Sequence, residues 1–357
     1  MSCGIIGYPQ VGKTSLFQIL TGKTLQDSHG RSEAHIGVVE VPDQRLDRLA
    51  KLFTPLKTTY ARVEYVDVGA ISRDSLKETG YLTNLRNMDS LAHVVREFRN
   101  DAVPHIQGSI DPQKDIASLE LELILSDLVV IENRLDRLEK DRKKIKNPAL
   151  EKEQILLEKA RQWLETEKPL RDATWSEEEQ KQLRGFTFLS GKPMLLVLNA
   201  GEEAGALEAV LAKAGLGHLA NRPHTLATAV SAKIEAELAM MTDSEAEEFL
   251  ASYGLHESGR SRLLRATHEL LGFIVFFTVS EKECRAWTIP RGATAVQAAG
   301  AIHSDLEKHF IRAEVVRWDE LLEAGSLAAA RQKGVLRLEG KDYVVQDGEI
   351  VHIRHSG

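Results

Sequence analysis

Eight residues near the start of the chain, Gly7-Tyr8-Pro9-Gln10-Val11-Gly12-Lys13-Thr14, have the spacing G-x-x-x-x-G-K-[ST]. The pattern follows a short apolar run and leads into a helical one, the strand-to-helix setting that phosphate binding requires. Backbone N–H groups from Gln10 and Val11 through Gly12, Lys13, Thr14 and Ser15 would surround phosphate oxygens at the positive end of that helix. Lys13 is expected to reach the β- and γ-phosphates and to serve catalysis, and Thr14 to ligate Mg²⁺. The expected ligand is a nucleoside triphosphate.

Other candidates fall where a sheet of this kind would bring them to the same end. Asp67 closes an apolar segment at 63 to 68, the position from which an acidic residue holds Mg²⁺, usually through water; a carboxylate in a strand-end turn is the alternative. Asn199 follows Leu195-Leu196-Val197-Leu198, at the carboxyl end of a buried strand, where doubly wound sheets bind ligands. GTPases of this architecture carry N/T-K-x-D there, whereas this chain has Asn199-Ala200-Gly201-Glu202. Ala200 removes the lysine that packs on the base, and Glu202 displaces by a methylene the carboxylate that reads guanine, so guanine selection is expected to be lost. Ser231-Ala232-Lys233 fits the remaining base-side loop. His93 reads as a satisfied strand residue, and His105, on the polar loop after that strand, is a candidate for the phosphate end.

Stepping outward, the residues that must position this site alternate strand and helix. Strands are expected at 3 to 6, 37 to 41, 63 to 68, 90 to 95, 195 to 198 and 226 to 230, with a helix from Lys13 that buries Leu16, Phe17 and Leu20 and ends at Gly22. This is an α/β arrangement around a mainly parallel sheet. Between 118 and 183 the chain becomes charged and nearly glycine-free. Leu121, Ile124, Leu128, Ile131, Leu135 and Leu138, continued by Leu150, Ile155, Leu157 and Trp163, predict an antiparallel coiled-coil hairpin. Its Lys140, Arg142, Lys143, Lys144 and Lys146 read as a solvated face or a docking patch. From about 273 the pattern becomes α+β: strands at 275 to 279, 287 to 289, 335 to 338, 343 to 345 and 351 to 353, and one main helix at 295 to 302.

The chain of 357 residues, 43% hydrophobic and 28% charged, has the balance of a globular protein of two or three domains. Its formal net charge of −7 excludes a broad nucleic-acid-coating surface, although a local basic patch can still bind RNA. Cys3 and Cys284 have neither disulfide-framework nor metal-ligand spacing. With no apolar run long enough to span a bilayer and the phosphate loop at the N-terminus, the expected location is the cytoplasm, without membrane association.

The sequence resembles the YchF/Obg-like ATPase family of translation-factor-related P-loop proteins. The resemblance rests on GYPQVGKTSLF, on VVEVPDQRLDRLAKLFTP at 38 to 55, on HVVREF with His105-Ile106-Gln107-Gly108 and Asp111-Pro112, and on Asn199 to Glu202. It continues in ECRAWTIPRGATA, IHSDLEKHFIRAEVV and LEGKDYVVQDGEIVHIR. The family implies a Ras-like P-loop G domain at 1–117 plus 190–272, an inserted helical coiled-coil hairpin at 118–189, and a C-terminal α+β TGS domain of ubiquitin-like β-grasp fold at 273–357. It implies ATP in preference to GTP through Asn199 and Glu202, and association with the ribosome or ribosomal RNA; a monomer that does not bind DNA is expected.

Family members replace the catalytic glutamine after switch II by an apolar residue, here Ile71, and the proposed substitute is a histidine on the loop where His105 falls. Two departures bear on the switches: Asp67-Val68-Gly69-Ala70 stands for D-x-A-G, and Arg31, beside Ser32, occupies the place of the switch I threonine. Gln10 for the usual asparagine leaves the cradle intact. The expected function is a slowly hydrolysing, ribosome-associated ATPase acting as a regulatory switch. A GTPase of the same fold and a nucleotide-sensing module with negligible hydrolysis are the alternatives.

Overall fold

The computed structural model describes residues 1–356 apart from 23–34, 70, 72–77, 101–102, 107, 144–146 and 202–206. Arg31, Ser32, Ala70 and Glu202 therefore lie outside the described residues. In chain order the strands are β1 (Ser2–Ile6), β2 (His35–Val41), β3 (Lys57–Thr59), β4 (Ala61–Asp67), β5 (Ser90–Arg96), β6 (Met194–Asn199) and β7 (Thr225–Val230). The remainder are β8 (Phe273–Val279), β9 (Glu283–Pro290), β10 (Phe310–Arg317), β11 (Arg337–Glu339) and β12 (Glu349–His355). Two compact units result, Met1–Val38 with Glu64–Leu270, and Val39–Val63 with Leu271–Gly357. Residues 39–63, read from the sequence as part of the nucleotide-binding portion, thus group with the C-terminal segment.

The first unit holds a sheet in the order β2-β4-β1-β5-β6-β7. β1 is parallel to both β4 and β5, and the β5-β6 and β6-β7 pairs are parallel as well, with Arg96 opposite Asn199 and Asn199 opposite Val230. All carboxyl ends of these strands therefore meet at one edge. β5 and β6 are buried at every position, as expected of central parallel strands covered on both faces. Helix α1 (Lys13–Thr21) buries Leu16, Phe17 and Leu20 and is closed by Gly22 in the left-handed conformation, its N–H bonded to Gln18.

The long charged segment forms α4 (Pro112–Arg142) and α5 (Pro148–Leu164), following α2 (Gln44–Phe53) and α3 (Thr79–Arg86). Asp111 and Asn147 accept from the first-turn amides of α4 and α5, with proline at the start of each helix. Ile124, Ile131 and Leu138 pack with Leu157, Ala160 and Leu164. The expected seam needs two corrections. Leu121 is exposed and Leu119 and Leu123 turn inward instead, while Ile155 is exposed and Leu156 takes its place. A charged helix with apolar residues on several flanks does not fix its phase by spacing alone. Part of the basic stretch is matched locally: Arg142 reaches Glu151 at 3.3 Å and Lys143 reaches Glu139 at 2.8 Å.

The second unit is built on a sheet in the order β11-β10-β12-β8-β9-β3. Successive residues of β8 feed two cores, as the period of a strand requires. Phe276 joins Ala295, Ala298 and Ala299 of the helix Ala295–Ile302, whereas Phe277 joins Leu46 and Leu49 of α2. The short β3 runs parallel to β9, Lys57 opposite Glu283. Four elements here differ from the sequence expectation. β10 and the helices Trp318–Ala324 and Leu327–Gln332 were not read as elements, and the expected strand at 343 to 345 reduces to a single bridge from Val344 to Thr294.

Candidate functional site

The phosphate loop is shaped by two glycines at backbone angles that side-chain-bearing residues rarely adopt. Gly7 has φ 148° and Gly12 φ 96°. A Cβ at Gly7 would lie 2.5 Å from the Val94 carbonyl oxygen, and one at Gly12 2.2 Å from Nδ2 of Asn199. Gly12 also occupies the N-cap of α1 and supplies no side chain to it. The first amides of α1 thus remain available to an anion, at the end where the helix dipole is positive.

Around that loop Lys13 and Asp67 are buried, whereas Thr14 is exposed. Lys13 donates from Nζ to the Tyr8 carbonyl at 2.7 Å. Burial pushes its ammonium down to about 8, with Asp67 acting in the opposite direction. Thr14 Oγ1 lies 3.4 Å from Oδ2 of Asp67, whose Oδ1 accepts from the Gly69 amide at 3.1 Å. This leaves a threonine hydroxyl and one carboxylate oxygen facing each other, hard oxygen donors of the kind Mg²⁺ takes. The residues fit that ion.

Asn199 serves the loop rather than standing free beside a base. Its Nδ2 donates to the Val11 carbonyl at 2.9 Å, and its Oδ1 accepts from the Ala232 amide at 3.3 Å. Thus β6 braces the loop from below. Ser231 accepts from the Ile234 amide at 3.5 Å, capping the helix Ala232–Leu238.

A cavity of about 1490 Å³ opens over these groups. Gln10, Gly12 and Ser15 form its phosphate end, and Asn199, Ala200, Ser231 and Lys233 form part of its other wall. Phe98, Asn100 and Val103, just after β5, complete it. The sequence reading did not single these three out. Phe98 is legible in retrospect as the one large apolar side chain in the polar stretch that leaves β5. Arg96 holds it: the guanidinium stacks 4.5 Å from the Phe98 ring and donates to the carbonyls of Phe98 and Asn100 at 3.1 and 3.3 Å.

Ile71 and the histidines take definite places. The Ile71 amide donates to the Gly7 carbonyl at 3.0 Å, and its side chain is buried with Val68, Tyr81 and Leu85. An apolar residue so packed cannot orient water. His105 is buried too, Nε2 3.0 Å from Oδ2 of Asp115 in the first turn of α4. His93 corrects the expectation of a satisfied strand residue, because its buried Nε2 has no hydrogen-bond partner among the described residues. Burial first, then Arg171 and Lys13, push it down to about 3.

A parallel sheet, a glycine-framed loop running into a helix, a buried lysine and aspartate, and an exposed threonine 3.4 Å from that aspartate define a P-loop nucleotide-binding protein. Comparison with known proteins narrows the class. Residues 273–356 match the family model YchF-GTPase_C, described as a protein of unknown function (DUF933). The chain is 38% identical to the "Ribosome-binding ATPase YchF" of Bacillus subtilis, covering 100% of this chain and 99% of that protein. It is also 38% identical to the protein of the same name from Pasteurella multocida, over 99% of each. The solved structure of the Schizosaccharomyces pombe YchF GTPase superposes with a TM-score of 0.83 at 28% identity, covering 99% of this chain and 97% of that one. The chain belongs to the YchF family.

Proposed function

We propose that this protein is a slow ATPase that works on the ribosome as a regulatory switch, with the triphosphate in the loop from Gln10 to Ser15. The observation that carries the reading is the bare N-terminus of α1 facing a cavity whose base-side wall offers Ala200 where a guanine-binding protein presents lysine. Asn199 then acts chiefly as a brace for the loop, and Glu202 is the residue left to discriminate adenine from guanine. Phe98, Ala200 and Ser231 supply the remaining wall for the base.

Lys13 would exchange the Tyr8 carbonyl for β- and γ-phosphate oxygens, whose charge would further stabilise its ammonium form. Thr14 and Asp67 would hold Mg²⁺, which would neutralise charge developing on the transferred phosphoryl group. Because Ile71 is retracted into the core, orienting the attacking water falls to His105 in this reading. The names of the relatives from Bacillus subtilis and Pasteurella multocida support the ribosome as partner, and hence a cytoplasmic place of work. In this reading the chain acts as a monomer on RNA rather than DNA, the exposed side of the α4-α5 hairpin and the C-terminal unit being the candidate contacts. The G-domain, hairpin and TGS divisions expected from the sequence belong to the same proposal.

Thermal unfolding with each nucleotide tests it. A ligand at about a hundred times its Kd stabilises by about 2.7 kcal/mol, and Mg²⁺-ATP should raise the transition more than Mg²⁺-GTP at equal concentration. Equal or greater protection by GTP overturns the adenine assignment.

A further inference from the structure

The contact between His105 and Asp115 does more than bury two polar groups. On either side of His105 the Val103 amide donates to the Asn100 carbonyl at 3.2 Å and the Gly108 amide to the His105 carbonyl at 2.9 Å. Gly108 has φ 81°, which lets the chain double back there. Asp115 sits in the first turn of α4, directly after Ile110 and Pro112, which line the nucleotide cavity. The imidazole and carboxylate side chains are only 3% and 2% exposed, with Nε2 and Oδ2 3.0 Å apart. Asp111 and Lys114 are the nearby charges, and both belong to the same turn of the chain. Burial raises the Asp115 carboxyl, and His105 is the main group acting against that.

We propose that Asp115 is a positioning residue that keeps His105 drawn onto α4, withdrawn from the nucleotide, until movement of α4 releases it. The carboxylate and the imidazole belong to different segments, the first turn of α4 and the loop after β5, so a displacement of the helix separates them and lets water take the place of the contact. α4 is one of the two helices of the long hairpin, and its first turn is where the hairpin meets the cavity rim. A partner that tilts the hairpin would thereby free the histidine. The catalytic consequence rests on the reading of His105 as the group that orients water.

The test uses the full chain, wild type and Asp115→Asn, with diethyl pyrocarbonate labelling of each histidine read by mass spectrometry, and Mg²⁺-ATP turnover without ribosomes. In the wild type His105 should label far more slowly than His303, whose side chain is 63% exposed. Asp115→Asn should accelerate labelling of His105 alone and raise basal kcat several-fold at unchanged KM. Adding His105→Gln should abolish that rise. His105 labelling as fast as His303 in the wild type, or unchanged in a folded Asp115→Asn chain, overturns the proposal. So does a lower kcat in Asp115→Asn. Faster labelling with a raised turnover that His105→Gln does not lower upholds the restraint and removes the catalytic role of His105 instead. The wild-type labelling ratio decides the first point even if the variant does not fold.

Discussion

The phosphate loop and the root of the coiled-coil hairpin lie in one unit and are built by opposite means. The loop is made of backbone: glycines with positive φ, a bare helix end, and a brace from Asn199 to the Val11 carbonyl. The root of α4 is made of buried acids. Asp127 accepts from the amides of Leu189 and Ser190 at 2.9 and 2.7 Å. Glu120 pairs with Arg171 and Arg222, and Arg222 reaches Asp172 at 2.8 Å. Asp115 holds His105. The first arrangement recognises an anion and is indifferent to most side chains; the second anchors a lever and depends on individual charges being paired.

The sharpest way to break that contrast is Glu120→Ala. Arg171 is 4% exposed, and its remaining bonds are to the Thr225 hydroxyl and the Ser190 carbonyl, both at 3.3 Å. Stranding a buried charge costs about 3–5 kcal/mol, which urea denaturation of the isolated chain would read. Nucleotide affinity should stay at the wild-type value. A parallel loss of affinity would mean that the hairpin root and the loop are one cooperative device.

Gly12→Val sharpens the other side. A branched side chain at φ 96° whose Cβ falls on Asn199 displaces the brace and crowds the α1 amides. Affinity for Mg²⁺-ATP by calorimetry should fall by more than about a hundredfold, roughly 2.8 kcal/mol. Backbone strain should cost about 1–3 kcal/mol of stability. Near-normal affinity would show that the backbone cradle is not the anion site.

The same contrast explains what was legible. The loop, α1, and the strands ending at Asp67, Asn199 and Val230 follow from short-range rules, since spacing, glycine and apolar runs act within a few residues. The hairpin root does not, because Asp115, Glu120 and Asp127 look like the solvated face of any charged helix. Their partners lie up to about a hundred positions away, as with Glu120 and Arg222. β10 was hidden for a related reason. Its Arg312 and Glu314 interrupt an apolar run, yet Glu314 is largely buried because Arg331, at 2.6 Å, and Arg354, at 2.5 Å, neutralise it. The place of His105 was invisible too, since nothing local says that a loop histidine will be met by an aspartate one helical turn into α4.

The smallest expected effect comes from the residue between the two regions. His93, on β5, is held neutral by burial, by Arg171 from the hairpin root and by Lys13 from the phosphate loop. Its folded value of about 3 lies below the ordinary 6.5, so in that interval the unfolded chain binds the extra proton. Stability therefore rises with pH across the interval and is lost on acidification below about 6.5. Between about pH 7 and about pH 6 the contribution is about 0.7 kcal/mol, growing towards about 1.4 kcal/mol per further pH unit. His93→Leu should remove that slope, read as the difference between the two proteins' urea midpoints across the series. Saturating nucleotide should leave the slope in place if Arg171 and burial dominate, and reduce it if Lys13 does, because bound phosphate screens the lysine. Equal slopes in wild type and variant would mean that His93 accepts its proton in the folded chain, with β5 open to water between the loop and the hairpin root.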